Sequence, residues 1–547
     1  MLQKFIRRPV LQLAVHPRQR GVATRDTATG GAPERSPTLF GPWGSRRWVA
    51  AGVLLAMTAV EGCVPALPQG AARSPNVEVP DAFGGALDTS NSALVDWHDF
   101  FDDPQLVALI EVALENNQEL NILVQEMLVT ESEIMARRGE YLPRLGIGGG
   151  AGIERVGSHS SQGASDEQAG LRRDLQDYQV GLFASWEVDI WRRLRNLRDA
   201  AVHRYLASVE GRNFMITRLV AEIANLYYEL LALDAQQEVI VNSIALQESS
   251  LEVVRLQQQA ARVTTLAVTR FEAQLRGFQA HQYEIAQAIV ERENRLNFLL
   301  GRFPQPIPRS SGDFLTREPL AVYAGLPTQL LENRPDVRQA ELQLEAASLD
   351  VRAARARFYP ALRLDGVVGL RSFNIRQFIS PGSIVYGVFA NILAPLFNRN
   401  DITAQYYASN ARQMQAVLVY ERAILGAFVE VATSLSRINN LRSMFELKEQ
   451  QVLRLTESIE ISNSLFNSAR ADYLEVLTTR RDALEAQMEL IEIRQLQLSA
   501  SVEVYRALGG GWRPAGDDTE GSPQAATAPS TQGSTEDSAE RTAGGEQ

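Results

Sequence analysis

The sequence repeats itself, and this limits the possible folds more than any other property. Leu114-Glu115-Asn116 through Pro143-Arg144-Leu145 aligns without a gap on Leu331-Glu332-Asn333 through Pro360-Ala361-Leu362, an offset of 332 − 115 = 217. Ala136 falls on Ala353, Arg138 on Arg355 and Pro143 on Pro360. Further on, Gly181-Leu182-Phe183-Ala184 matches Gly387-Val388-Phe389-Ala390. Ala261-Arg262 with Leu266 and Val268 matches Ala469-Arg470 with Leu474 and Val476. The blocks keep the same order in both halves, so the chain is a duplicated unit. Each unit reads as a helix, a strand pair and two further helices.

The strand pairs alternate. Tyr178, Val180, Leu182, Ala184, Trp186, Val188 and Ile190 fall on one face. Gln179, Gly181, Ser185, Glu187 and Asp189 fall on the other, with Phe183 as the apolar exception. In the second unit Ile384, Tyr386, Val388, Ala390, Ile392, Ala394 and Leu396 share a face. The preceding strands agree, with Leu145, Ile147, Ala151 and Ile153 in one and Leu362, Leu364, Val368 and Leu370 in the other. Period-2 strands apolar on one side and long enough to cross a bilayer suit a transmembrane barrel. The alternative is a soluble sheet with one face on a core. Tyr178, Trp186, Trp191 and Tyr386 are candidates for aromatic girdles. Two strands per unit give four per chain, too few to close a barrel with a lumen. The chain must oligomerise to close the sheet.

Very long helices follow the strands. No proline interrupts 192–259, a run that as helix reaches about 100 Å. Ile216, Leu219, Ile223, Leu226, Leu230 and Leu233 are spaced 3, 4, 3, 4, 3. The register continues through Ile240, Ile244, Leu251 and Val254, with Gln237 and Gln247 at skipped core positions. This is a coiled-coil seam. Ile424, Phe428, Val431, Leu435 and Ile438 repeat it in the second half.

The ends of the chain read differently. Arg46 and Arg47 precede an apolar run from Trp48 to Val60, then Glu61-Gly62-Cys63. A charged flank and a short apolar core fit an export signal. Cys63, the single cysteine, rules out an internal disulfide framework. Its place after Gly62 resembles a bacterial lipoprotein signal, although Glu61 departs from the usual small or apolar residue. The expected organisation is a leader and lipoprotein signal at 1–63, a Pro/Gly-rich segment at 64–94, repeats at 95–320 and 321–512, and a tail at 513–547. The polar composition of that tail does not support a packed core. A net charge of −11 gives no footprint for nucleic acid, and five scattered histidines suggest no metal site. The glycine-rich stretch Gly146–Gly152 lies inside an alternating strand and precedes no Walker lysine or Rossmann helix. The reading is therefore not an enzyme, with no cofactor.

With these residues in place, the duplicated plan resembles the TolC-type outer-membrane efflux family. Cys63 and the ending Ala507-Leu508-Gly509-Gly510-Gly511-Trp512 are similar to its NodT-like drug-efflux lipoprotein branch. Family-like too are Asp99-Phe100-Phe101-Asp102-Asp103-Pro104, Leu331-Glu332-Asn333-Arg334-Pro335-Asp336-Val337, Ala354-Arg355-Ala356-Arg357-Phe358-Tyr359-Pro360 and Pro395-Leu396-Phe397. The resemblance implies a mainly α chain with a transmembrane β-barrel, in which a homotrimer closes twelve strands and a coiled-coil cylinder continues the barrel wall on the periplasmic side. It implies outer-membrane lipid as surroundings. The implied partners are a periplasmic adaptor (membrane-fusion) protein and an inner-membrane resistance-nodulation-division pump.

In that family paired helices meet at the periplasmic tip, where acidic side chains narrow the pore. The resemblance carries this to Asp472-Tyr473-Leu474-Glu475-Val476-Leu477-Thr478. Glu475 falls on a position acidic in some members, and Thr478 stands where Asp is common. Arg262, Arg270, Arg470 and Arg480 are candidates for ion pairs that hold the tip closed. The expected function is a passive exit duct for small molecules. Alternatives are the duct of a type I protein-secretion or metal-efflux system, or a periplasmic coiled-coil adaptor with no pore.

Overall fold

The structure, a computed structural model, describes residues 64–513 apart from 69, 84–89, 171, 173, 311, 313, 398 and 469. Cys63, the leader before it and the tail beyond 513 lie outside the described residues. The element order is α1 (Pro104–Asn116), α2 (Gln118–Tyr141), β1 (Arg144–Arg155), β2 (Asp174–Val188), α3 (Arg193–Gln259) and α4 (Thr265–Leu299). It continues with α5 (Pro335–Ala356), β3 (Ala361–Ser372), β4 (Ile384–Leu393), α6 (Asn400–Asn467) and α7 (Tyr473–Ala507). The order α2-β1-β2-α3-α4 thus recurs as α5-β3-β4-α6-α7.

The helices match in length across the repeat. α3 and α6 have 67 and 68 residues, about 100 Å each. α4 and α7 both have 35 and return only half that distance. The remaining half, towards the sheet, is covered by α2 and α5, with 24 and 22 residues. Three of the starts have a local cause in a side-chain cap. Asp103 caps α1 by accepting from Gln105 N at 2.9 Å, with Pro104 at the first position. Asn117 ends α1 and caps α2, accepting from Leu120 N at 2.9 Å. The buried carboxylate of Asp189 accepts from Leu194 N at 3.1 Å and Arg195 N at 2.9 Å, putting negative charge at the start of α3.

The seam of α3 is the core. Ile216, Leu219, Ile223, Leu226, Leu230, Ile240, Leu251 and Val254 are buried, and Leu233 and Ile244 are partly so. Gln247 is buried too and donates to the Phe271 carbonyl at 3.2 Å, whereas the side-chain oxygen of Gln237, the other polar residue in the seam, is buried without a hydrogen-bond partner among the described residues. In α6, Ile424 and Val431 are buried, while Phe428, Leu435 and Ile438 are half-buried.

The four strands form one antiparallel sheet in the order β1-β2-β3-β4. Its register joins the expected faces of all four strands. Ile147 opposes Leu182, Leu182 opposes Val368, and Val368 opposes Tyr386. β2 ends at Val188 and β4 at Leu393, so Asp189, Ile190, Ala394 and Leu396 leave the strands. At Asp189 the helix cap takes over from the alternating pattern. Trp186 and Trp191 sit at the helix end of the sheet, donating to the Tyr141 and Pro360 carbonyls at 3.1 and 2.8 Å. Tyr178 and Tyr386 lie toward the opposite end, where Phe378 approaches Tyr178 edge-on.

Candidate functional site

The sheet carries the first functional geometry. On one face Leu145, Tyr386 and Val388 are 82, 84 and 83% exposed, and Ile147, Ile153, Leu182 and Ile392 are exposed beside them. So continuous an exposed apolar field marks a surface that contacts lipid or another protein. The other face is polar. Arg371 makes a bidentate pair with Asp177, both bonds 2.9 Å. Arg363 donates to Ser185 Oγ and Asp365 at 3.1 and 3.2 Å, and Asn391 donates to Asp365 at 3.0 Å. β1 and β4 each have a partner on one side only, leaving two open edges. No helix among the described residues is long and apolar enough to cross a membrane.

Halfway along the long helices, three motifs distant in sequence meet. Arg334, buried, donates to Asp336 at 3.0 and 2.8 Å, to Glu430 at 2.7 Å and to the Ala507 carbonyl at 2.6 Å. Glu430 also accepts from Arg506, which pairs with Glu503 at 2.8 Å. Burial alone would raise the Glu430 pKa, but the charges of Arg334 and Arg506 hold it below the ordinary glutamate value. Gly509 has φ +90, and a Cβ there would lie 2.6 Å from the Asn333 carbonyl, so only glycine permits this approach. From the first motif, Phe100 stacks on Tyr505 at 4.0 Å and Asp103 accepts from Tyr227 and Arg317 at 2.8 and 3.0 Å.

The helix tips are the third place. The two turns close with equivalent bonds. Ala260 N donates to Leu256 O and Arg262 N to Gln257 O; Ser468 N donates to Ser464 O and Arg470 N to Leu465 O. The offset is 470 − 262 = 208. The environments then diverge. Ala267 is buried in a cluster with Leu251, Phe271 and Leu477, whereas its counterpart Glu475 is exposed. Arg262, Arg270 and Arg470 are exposed as well. No ion pair joins Glu475, Arg270 or Arg470 to another described group. Thr478 donates to its own helix at Leu474 O, 2.9 Å away. Arg480 behaves differently from its expected ion pairing. It is half-buried, donates to Ser250 on α3 and to Asn463 on α6 at 3.0 Å, and burial lowers its pKa.

A sheet with one apolar and one polar face, joined to helices about 100 Å long, defines an outer-membrane channel subunit with a helical extension. The chain belongs to the outer membrane efflux protein family, whose model matches residues 109–302 and 326–510. It is a channel component of efflux pumps and not an enzyme. It is 30% identical over 441 residues to the solvent efflux pump outer membrane protein SrpC of Pseudomonas putida, covering 79% of this chain and 91% of that protein. It is 26% identical over 460 residues to the probable outer membrane lipoprotein SilC of Salmonella typhimurium, covering 82% and 96%. Among solved structures, the open state of the Neisseria gonorrhoeae MtrE outer membrane channel superposes with a TM-score of 0.72 at 26% identity, covering 82% of this chain and 99% of that one.

Proposed function

We propose that three copies close the channel, each contributing four strands to a twelve-stranded barrel, with the helices extending as a cylinder into the periplasm. The open edges of β1 and β4 carry this reading: β4 of one copy supplies the partner that β1 of the next lacks. Polar residues then line the lumen and the apolar face meets lipid. The partners are a periplasmic adaptor and an inner-membrane resistance-nodulation-division pump, which supplies the energy. The cargo is small organic molecules, in keeping with the solvent and pyoverdine export named for relatives. Cysteines placed singly at Gly149 and Tyr386, then together, test the closure. Crosslinking into a ladder ending at the trimer only in the double variant is expected, and dimers alone would refute it.

Lipid anchoring through Cys63 fits the path of the chain that follows it. Val64 and Leu67 pack beside Phe358 and Tyr406, where the helices meet the sheet. Tyr407 donates to the Ala66 carbonyl at 3.1 Å. Intact-mass measurement of the mature protein should show an acylated N-terminus at Cys63; an unmodified N-terminus before Cys63 excludes it. Cys63→Ser is expected to weaken anchoring more than folding.

The gate lies at the tips. Three Glu475 carboxylates around the axis form an acidic ring, and Arg270 and Arg470 from adjoining tips hold it closed across subunits, with Thr478 beside them. Such a ring favours cations. In planar bilayers Glu475→Ala should reduce cation preference and Arg270→Ala should ease opening. High salt should weaken both effects. Unchanged conductance and selectivity in both variants would place the constriction elsewhere.

A further inference from the structure

The polar face of the sheet is interrupted by an apolar band. Phe183 lies opposite Val367, and Val367 opposite Gly387. The Phe389 ring covers Gly387: a Cβ there would lie 2.9 Å from the ring and 3.7 Å from Val367 Cγ1. The Phe183 ring covers Gly148 in the same way, at 3.0 Å. Glycines on β1 and β4 thus make room for two rings that lie along the surface. These rings are 44 and 58% exposed, with Val367 half-buried between them. No described residue of the chain buries them further.

Charged rows flank the band. On its outer side is the Arg371–Asp177 pair. On its helix side are Arg144, Ser185, Glu187, Arg363, Asp365 and Asn391. Their register follows from Arg144 opposite Ser185, Ser185 opposite Asp365, and Arg363 opposite Glu187 and Asn391. The carboxylates in that row have cations already: Glu187 holds Arg193 at 2.7 Å and Asp365 holds Arg363 at 3.2 Å. Glu140 nearby shares Arg137 with Glu133, at 3.3 and 3.5 Å. Arg144 is exposed and has no ion-pair partner among the described residues. Within the row Arg144 and Arg363 balance Glu187 and Asp365, and Arg193 adds a cation beside Glu187, so Arg144 is left without a carboxylate of its own, two residues along the sheet from the row of Phe183.

The geometry points to a cargo-binding site inside the barrel, where Phe183, Val367 and Phe389 hold the apolar body of an aromatic molecule and Arg144 holds its anionic head. Aromatic faces suit an aromatic body, and a guanidinium suits a carboxylate or sulfonate. The site rests on the reading of the sheet as a barrel wall whose polar face lines the lumen. It lies far from the helix tips, so it sorts molecules at the exit and not at the gate.

The test is single-channel recording of the purified full-length protein with 2-naphthalenesulfonate added on the outer side, and neutral 2-naphthol as comparison. Wild type should be blocked by the sulfonate at lower concentration than by the naphthol. Phe183→Ala with Phe389→Ala should raise the half-blocking concentration of both compounds by about tenfold. Arg144→Gln should raise that of the sulfonate alone. Phe183→Leu with Phe389→Leu still covers Gly148 and Gly387, so it should fold like wild type and yet bind the aromatic probes more weakly. Val367→Phe, which enlarges the band, should strengthen the block. Conducting variants with the block of wild type would overturn the site and leave the channel reading intact. A wild-type protein that forms no channel would overturn both.

Discussion

Arginine at Leu182 or Val388 is expected to destabilise the inserted protein by about 2–4 kcal/mol, because each side chain lies near the middle of its strand on the apolar face, which the proposed barrel turns to lipid. The register supports this placement. Leu182 is opposed by Ile147 and Val368, and Val388 by Gly366, so neither has a polar neighbour directly across the sheet. Arginine at Gln179 or Asn391 should be far milder. Those positions share the opposite face with Arg371, Arg363 and Asp365, where water and carboxylates can receive a cation. The measurement is the denaturant midpoint of the folded protein in lipid vesicles for all four variants. Equal losses on the two faces would contradict the assignment of lipid and lumen.

The faces were legible because a strand has a period of two, and alternation sustained over whole strands leaves little ambiguity. Phe183 stood out in that pattern as an apolar residue on the polar side. Its purpose was not legible, since the glycine under its ring, Gly148, belongs to another strand. Where the alternation continued past the strand, at Asp189 and Ile190, it misled: the pattern cannot register that Asp189 is needed as a cap for α3. The length of the long helices could be read from the missing prolines and the seam spacing. The joint where three motifs meet halfway along the long helices could not be read. Its motifs lie at 99–104, 331–337 and 507–512, and their meeting depends on α4 and α7 ending halfway along α3 and α6. At the tips the repeat placed Ala267 and Glu475 at equivalent positions correctly, as the matched turn bonds show. It gave no sign that one would be buried and the other exposed, because that depends on which neighbour each hairpin packs against. Nor does local sequence show that Arg480 reaches Ser250, which lies on another helix.

Replacing Arg334 with methionine should cost about 3–5 kcal/mol, the range for removing one partner of a buried charge pair. The side chain is only 6% exposed, so solvent does little to screen it. Methionine fills most of the volume, and the loss then comes from the groups left behind. Asp336 loses two bonds, Glu430 keeps only Arg506, and the Ala507 carbonyl loses its donor at the end of α7. Because α7 and the Gly509 turn dock on this residue, the variant should loosen the chain end first. Accelerated proteolysis after Ala507 should precede loss of the heat-resistant oligomer. The effect should also depend on pH. The pKa of Glu430 is depressed in the folded state, so its contribution is present above the ordinary glutamate value and is lost as pH falls through the lower, folded value. Arg334 stays charged throughout, its pKa raised by Asp336 and Glu430 against the opposing effect of burial. The melting temperatures of wild type and Arg334→Met should therefore differ most near neutral pH and converge in acid. A gap that stayed constant down through the acid range would mean that the destabilisation comes from packing around the side chain, and that the ion pair with Glu430 contributes little to the joint.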